Sequence, residues 1–497
     1  MDKVENLISI KNENIQGGGQ EKVNIQHNLG KMTARERILQ VLDEGSFIEI
    51  GNLIEKNGAG VITGYGTING RLVYLYSQDY TVNGGLINKT NSNKICRIMK
   101  MAQKMGAPLI QIMDSVGAKI SDGLDALEAY GKIINLNTSL SGVVPQIAVI
   151  VGPCEGIAAL SATMSDFTIV VDKCGSLCIN SSQKLIEKEE KYVDKNTYSN
   201  AENVNRNGNV QLEVKTEDEA FSLIKKLMSY IPSNNLEVSV CESEPVDLNI
   251  PKSRLDEIAK TESYDIYEII NEISDEKSLI EINSKWQKAI ITGLIKVNGI
   301  SVGIIATNKN VEKGCLNIKN IDKISRFIKM CDAFNIPILS MVDTKGFEVS
   351  LEEEKNGLAV FASKIVYSLS EAEVPKIALI IGEAYGAGYI TLASKETSFD
   401  ITYAWPSAKI SLIEPREMAK KLYEKDIISS DNPREKEEKL IDSHIDEFTS
   451  PYLAAEKGHV DDIIIPSETK QRLFAMFDML QSKREIKYPK KHGSILI

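Results

Sequence analysis

The sequence predicts an α/β protein made of two homologous domains, and three observations carry that prediction. Segments recur after a shift of about 230 residues, helical and apolar stretches alternate within each copy, and a glycine turn closes the alternation in both. Asp43-Glu44-Gly45-Ser46-Phe47-Ile48-Glu49-Ile50 returns as Asp275-Glu276-Lys277-Ser278-Leu279-Ile280-Glu281-Ile282. Ile62-Thr63-Gly64 with Asn69-Gly70 returns as Ile291-Thr292-Gly293 with Asn298-Gly299, and Lys94-Ile95 as Lys323-Ile324. Gly152 and Gly156 fall on Gly382 and Gly386. Order and residue type persist together, so the chain divides into halves, 1–245 and 246–497.

In chain order, the first thirty residues, with Gly17-Gly18-Gly19, read as loosely ordered before a helix from Thr33 to Leu42. The amphipathic stretch Lys94 to Met105 leads through Gly106-Ala107-Pro108 into the apolar run Leu109 to Met113, which ends at Asp114 and a glycine-containing loop. A further helical stretch precedes a second apolar run, Gln146 to Val151, and then a glycine turn into Ala-rich sequence. The second copy repeats this with Asp322 to Phe334, Ile338 to Val342 ending at Asp343, and Lys376 to Ile381. Strands separated by helices of this length pair in parallel. Ser182 to Thr216 is polar and reads as a surface excursion, Glu242 to Lys260 as the connector, and the basic tail from Ser482 as an end that docks late or frays.

Composition excludes several classes of function. With 497 residues, 42% hydrophobic and 26% charged, the chain is globular, and a net charge of -11 argues against coating a nucleic-acid duplex. The most apolar stretch, Val143 to Leu160, is interrupted by Pro145, Gln146, Pro153 and Glu155, so no membrane span is expected, and the N-terminus lacks the pattern of a secretory signal. Seven scattered cysteines suggest a reduced, cytoplasmic setting, and Cys174 and Cys178 lack the companions of a zinc site. The four histidines, His27, His444, His459 and His492, lie toward the chain ends, so no metal centre or Ser-His-Asp triad is expected at the glycine turns. Met99-Lys100-Met101 resembles a biotin-attachment tripeptide but sits in a helical pattern, and no phosphate-binding nucleotide loop occurs.

Chemistry must then come from the main chain. The turns Gly152-Pro153-Cys154-Glu155-Gly156-Ile157-Ala158-Ala159 and Gly382-Glu383-Ala384-Tyr385-Gly386-Ala387-Gly388-Tyr389 each join a strand to a helix start rich in small residues. N–H groups there have no intrahelical partner and a ligand oxygen can approach them, which makes an oxyanion hole. The plainer reading is that the glycines only allow close helix-strand packing. Asp114-Ser115-Val116-Gly117-Ala118-Lys119 and its counterpart Asp343-Thr344-Lys345-Gly346-Phe347 could line the same pockets, although Asp and Ser after a strand also serve as helix caps.

These residues bring the sequence to a family. Together with Thr33-Ala34-Arg35-Glu36-Arg37-Ile38, Tyr76-Ser77-Gln78-Asp79-Tyr80-Thr81, Ser229-Tyr230-Ile231-Pro232-Ser233-Asn234-Asn235, Cys331-Asp332-Ala333-Phe334-Asn335-Ile336-Pro337 and Tyr403-Ala404-Trp405-Pro406, the chain resembles the carboxyltransferase subunits of biotin-dependent acyl-CoA carboxylases and decarboxylases. The propionyl-CoA carboxylase beta and methylmalonyl-CoA decarboxylase alpha types are the nearest in kind. The resemblance implies two crotonase-like (ClpP/crotonase superfamily) domains, 1–245 on the acyl-CoA side and 246–497 on the biotin side, in a homo-oligomer, a hexamer built as a trimer of dimers. It implies a coenzyme A thioester as substrate and biotin on a separate biotin carboxyl carrier protein, with other decarboxylase or carboxylase subunits as possible partners. By resemblance the thioester oxygen falls to the backbone of Gly156 and Ile157 and the biotin ureido oxygen to Ala387 and Gly388. Gly117, Ala118, Lys119, Gly152, Gly386 and Tyr389 are the candidate substrate-binding residues, and no metal is implied.

The chain departs from the family pattern in several places. Val116 and Lys119 replace a glycine and an arginine, Ile157 replaces the second glycine of the first turn, Lys89 and Asn91 replace Glu and His, and Lys345 replaces Pro. A β-branched Ile157 would be strained if the turn needed positive φ there. Two other readings therefore stay open: a biotin-independent crotonase-like CoA hydratase or isomerase, and a catalytically weakened structural paralogue. The acyl group and the direction of carboxyl transfer are not legible.

Overall fold

Each half opens its sheet with a hairpin whose turn explains the first repeated motif. The computed structural model describes residues 2–55, 59–238, 248–485 and 487–494, with backbone alone for 442–447. Strands β1 (Ile48–Glu49), β2 (Val61–Ile68) and β3 (Arg71–Gln78) are antiparallel. The two-residue link Asn69-Gly70 has φ of 51° and 76°, a left-handed pair that Asn and Gly adopt readily. The Asp43 carboxylate accepts both turn N–H groups at 2.9 Å. In the second half Asn298-Gly299 turns with φ of 48° and 82°, and Asp275 accepts its N–H groups at 3.0 and 2.8 Å.

The sheet then becomes parallel. Strands β4 (Leu109–Ser115), β5 (Gln146–Glu155), β6 (Phe167–Val171) and β8 (Leu212–Val214) follow β3 in that order, and the short β7 (Ser176–Cys178) pairs with the end of β5. The second sheet has the same plan: β9 (Ile280–Ile282), β10 (Ile290–Val297), β11 (Ile300–Thr307), β12 (Ile338–Thr344), β13 (Lys376–Tyr385), β14 (Ile401–Ala404) and β16 (Asp462–Ile463), with β15 (Lys409–Ser411) on the end of β13. Both sheets shift register at the same place, between Met113 and Ser115 and between Val342 and Thr344, so each bulge falls on the aspartate that ends the strand. The chain forms two compact units, Met1–Val238 and Ser239–Ile497. The boundary expected at 245/246 lies outside the described residues.

The helix Lys89–Met105 buries Ile95, Ile98, Met99 and Ala102 against the first sheet and ends at Gly106 in the left-handed conformation. Its counterpart Ile318–Ala333 is followed by Asn335, which takes the same left-handed role with φ of 54°. Met99-Lys100-Met101 therefore lies within a helix. Asn91, three positions into its helix, exchanges hydrogen bonds with Asn88 in a capping box, so this departure from the family serves the helix start; in the second half Asn317 Oδ1 accepts the Asn320 N–H. The repeated lysines are buried staples. Lys94 Nζ donates to the Val61 carbonyl at 2.6 Å, and Lys323 Nζ donates to the carbonyls of Asn283, Trp286, Gln287 and Ile290. Burial pushes both ammonium groups down to about 8, which leaves them charged at neutral pH.

Two segments differ from expectation, and the tail takes one of its two expected courses. The first thirty residues form two helices, Lys3–Ile15 and Gln20–Asn28, because Asp2 and Glu5 make a capping box. Contacts from Gly18 N–H to Thr81 Oγ1 and from Asn14 Nδ2 to the Asn52 carbonyl tie this part to the sheet. The polar stretch 182–216 is only partly an excursion, since Ala201, Val204 and Val210 are fully buried. The basic tail docks: Lys483 pairs with Asp400 at 2.9 Å, and Lys487 donates to the Ser370 carbonyl.

Beneath the end of β4 lies a buried ion network. Asp114 accepts from Lys31 Nζ at 2.8 Å, Arg37 Nη1 at 2.8 Å and Gln26 Nε2 at 3.1 Å, while Arg37 makes a two-pronged contact with Glu217 at 2.8 and 2.9 Å. In the second unit Ile269 and Thr469 begin or line the corresponding helices, Ile266–Ile273 and Thr469–Leu480. Asp343 is held there by Tyr264 Oη at 2.5 Å, Glu383 N–H at 2.8 Å and Lys309 at 3.6 Å, beside an open cavity of ≈ 420 Å³.

Candidate active site: main-chain donors at two equivalent turns

The strand β5 runs through Gly152 to Glu155, so the first turn begins at Gly156 and not at Gly152. Gly156 has φ of 62°, and its N–H donates to the Cys178 carbonyl at 2.9 Å. This bond continues the pairing of β5 with β7. The helix Ile157–Thr163 starts at the next residue, and Ala159 N–H donates back to the Gly156 carbonyl at 3.2 Å. Among the described residues, Ile157 and Ala158 are left with N–H groups that have no backbone acceptor, as the first turn of a helix requires.

The second turn has the same construction. β13 runs through Tyr385, Gly386 has φ of 50°, and the helix Gly386–Leu392 follows. Ala387 and Gly388 N–H have no backbone acceptor among the described residues. Gly388 is buried and Ala387 exposed.

The free pairs thus occupy identical places in the repeat: Ile157 with Ala158, and Ala387 with Gly388. Of the pair expected at the thioester oxygen, the Gly156 N–H donates to the Cys178 carbonyl, whereas the Ile157 N–H has no backbone acceptor among the described residues. The repeat register contained that signal, since Ala387-Gly388 superimposes on Ile157-Ala158 and not on Gly156-Ile157. The expected strain at Ile157 is also absent. In this turn positive φ is confined to Gly156, Ile157 is helical, and its side chain packs against the core of the first unit.

A loop faces each turn. Gly117 N–H donates to Ser115 Oγ at 3.1 Å, Ile87 N–H to the Gly117 carbonyl at 2.9 Å, and Lys119 N–H to the Ile87 carbonyl at 3.0 Å. Ala118 N–H is left without a backbone acceptor among the described residues. In the second unit Gly346 N–H donates to Thr344 Oγ1 at 3.0 Å, and Leu316 brackets the loop in the same way, leaving Phe347 N–H. The close approach demands glycine here: a Cβ on Gly388 would stand 2.7 Å from Gly346 Cα.

Other candidates take different places. Gly152 lies under the site, where a Cβ would fall 1.8 Å from Asp114 Oδ1, so this glycine makes room for the buried carboxylate and does not line the turn. Lys119 Nζ is paired with Asp122 at 3.0 Å. Tyr389 Oη donates to the His459 carbonyl at 2.9 Å, and burial pushes the phenol up to about 12. Gly386 supplies the positive-φ corner. Main-chain N–H groups can polarise an oxygen without adding or removing a proton.

Comparison with known proteins gives a consistent picture. The chain is 38% identical to the methylmalonyl-CoA decarboxylase subunit alpha of Propionigenium modestum, over 99% of this chain and 98% of that one. It is 38% identical to the propionyl-CoA carboxylase carboxyltransferase subunit of Haloferax mediterranei, over 99% of each. The transcarboxylase 12S crystal structure, a hexamer assembly with methylmalonyl-coenzyme A and methylmalonic acid bound, aligns with a TM-score of 0.95 at 35% identity, over 99% of this chain and 98% of that one. The two duplicated α/β domains are those of that fold, as expected. The family described as the carboxyl transferase domain matches residues 25–495, and this chain belongs to it.

Proposed function

We propose that this protein is the carboxyltransferase subunit of a biotin-dependent acyl-CoA carboxylase or decarboxylase, moving a carboxyl group between carboxybiotin on a separate carrier protein and a short acyl-CoA of the propionyl or methylmalonyl type. The observation that carries this reading is the occurrence of two main-chain donor pairs at equivalent positions, one per unit. A reaction that polarises two carbonyl-type oxygens, a thioester and a ureido group, needs two such pairs. A hydratase or isomerase acting on a single thioester needs one.

Ile157 and Ala158, with Ala118 N–H opposite, would hold the thioester oxygen and stabilise the negative charge it gains as the α-carbon is deprotonated or decarboxylated. Each well-placed donor contributes about 2.7–4 kcal/mol to such a barrier. Ala387 and Gly388, with Phe347 opposite, would hold the ureido oxygen, and the bare Gly346–Gly388 contact leaves the ring room to approach. Biotin, when bound, supplies the carboxyl group and the base for the α-proton, so the turns need no histidine. The reading includes a homo-oligomer, as in the hexameric 12S neighbour, and a biotin carrier as partner. Among the described residues no helix is long and apolar enough to cross a membrane, and we place the protein in the cytoplasm. The weakened-paralogue reading, which rests on Val116, Ile157 and Lys119, loses one of these supports, because Ile157 keeps its N–H in an unstrained helix start.

The test is an assay of the purified protein with methylmalonyl-CoA or malonyl-CoA and free biotin as carrier surrogate, following loss of the carboxyl group. Turnover that requires biotin is expected. Biotin-independent CoA chemistry would favour the hydratase-type reading, and silence in a correctly assembled oligomer the structural one.

A further inference from the structure

Each donor turn is bordered by an inserted segment that leaves the sheet beside it. Residues 179–211 connect β7 to β8, and residues 412–461 connect β15 to β16, while β7 and β15 pair with the ends of β5 and β13. The inner part of the first insertion is anchored: Asn200 bridges Ser176, and Ala201 and Val204 are fully buried. Its outer part is not packed in this way. The helix Ser182–Glu189 buries no residue, and Ile179 and Tyr192 are exposed.

An ion pair joins this outer part to the turn. Lys195 Nζ contacts Glu155 Oε1, and Glu155 immediately precedes Gly156. The pair is more sheltered than its neighbours in the insertion, at 34% and 27% side-chain exposure against 69% and 52% for Lys191 with Glu189. The second unit has an ion pair at a different place, in the loop that faces its turn. Lys345, the residue before Gly346, pairs with Glu414, which immediately precedes the helix Pro415–Leu422, and that helix buries Ala419 alone.

We infer that Glu155 and Lys195 are positioning residues, an ion-pair latch that holds the insertion against the thioester turn and so completes the acyl-CoA side of the site; Lys345 and Glu414 are a second latch on the biotin side. The inference rests on the function proposed above. The latch acts by holding a weakly packed segment in one place next to the donors, so its loss weakens substrate binding without removing a donor. A chance surface pair contributes little and would leave binding unchanged.

The test uses full-length, assembled protein carrying Lys195→Met, Glu155→Gln, or the exchanged pair Glu155→Lys with Lys195→Glu. Each single variant is expected to raise KM for methylmalonyl-CoA about three- to tenfold with kcat held within about twofold, which is the pattern of lost ground-state binding. The exchanged pair should bring KM back to within about twofold of wild type. Raising ionic strength from about 0.05 to about 0.5 M should raise the wild-type KM and leave that of Lys195→Met unchanged. Wild-type KM in the single variants, or an exchanged pair no better than either, overturns the latch. If the unaltered protein has no biotin-dependent turnover, the functional reading fails and the latch is read by trypsin instead. Cleavage after Lys184, Lys188 or Lys191 should be faster in Glu155→Gln, and an unaltered cleavage rate overturns the latch on its own.

Discussion

Ile157→Pro is expected to lower biotin-dependent turnover by about 100- to 1,000-fold while leaving a folded, assembled protein. Ile157 is the first residue of its helix. Proline is favoured at that position because the N–H there has no intrahelical partner and its fixed φ already suits the helix. The substitution therefore deletes one main-chain donor together with the isoleucine side chain. Gly156, the residue before it, has no Cβ to clash with the proline ring. Ile157→Ala is the control. It removes the side chain that packs on the first unit's core, lowering stability by about 2–4 kcal/mol at most, yet it keeps the N–H and should retain turnover to within about tenfold. Turnover is followed with methylmalonyl-CoA and free biotin, and folding by circular dichroism and sedimentation. Equal losses in the two variants would show that packing, and not the donor, matters at this position.

Arg37→Leu is expected to destabilise the first unit by about 3–5 kcal/mol. The guanidinium has no exposure to solvent and bridges two carboxylates, Asp114 and Glu217, that are themselves buried. Burial alone would lower its pKa, but the hydrogen bonds it donates to Glu217 and the charge of Asp114 outweigh it and hold the group above the usual arginine range. Removing the arginine leaves one carboxylate with Lys31 and Gln26 and the other with little compensation. Urea denaturation should show the first unit unfolding at a lower midpoint, and Arg37→Leu combined with Glu217→Leu should recover part of the loss, because two apolar groups then replace a charged pair. An unchanged midpoint for the single variant would mean that the network carries no stability. Since Asp114 sits at the bulge that leads into the Ser115–Lys119 loop, some loss of turnover should accompany the loss of stability.

The duplication and the strand-helix alternation were legible because they are written in residue types that local physics demands. Asn69-Gly70 and Asn298-Gly299 must turn left-handed, Asp43 and Asp275 must cap those turns, and Lys94 and Lys323 must reach carbonyls from inside a helix. The donor turns were legible as glycines between a strand and small residues. The individual donor was not, because Gly156 and Ile157 look equally available until the carbonyl of Cys178, some twenty positions on, is seen to claim one of them. Gly152 misled for a similar reason: its lack of a side chain serves Asp114, a contact that depends on the fold. The N-terminal helices were hidden by their polarity, since Lys3–Ile15 buries nothing and gives no apolar stripe. The Glu155–Lys195 pair spans forty residues of weakly patterned sequence and has no local signature.

The central claim is that unsatisfied main-chain N–H groups at Ile157 and Ala158 polarise the thioester oxygen. Isotope-edited infrared spectroscopy of acyl-CoA labelled at the thioester carbonyl reads that polarisation on the bound molecule. The account predicts a carbonyl band at lower frequency on the wild-type protein than in solution, and its return toward the solution value on Ile157→Pro under conditions where the ligand is still bound. The same lowered band in both proteins would contradict it.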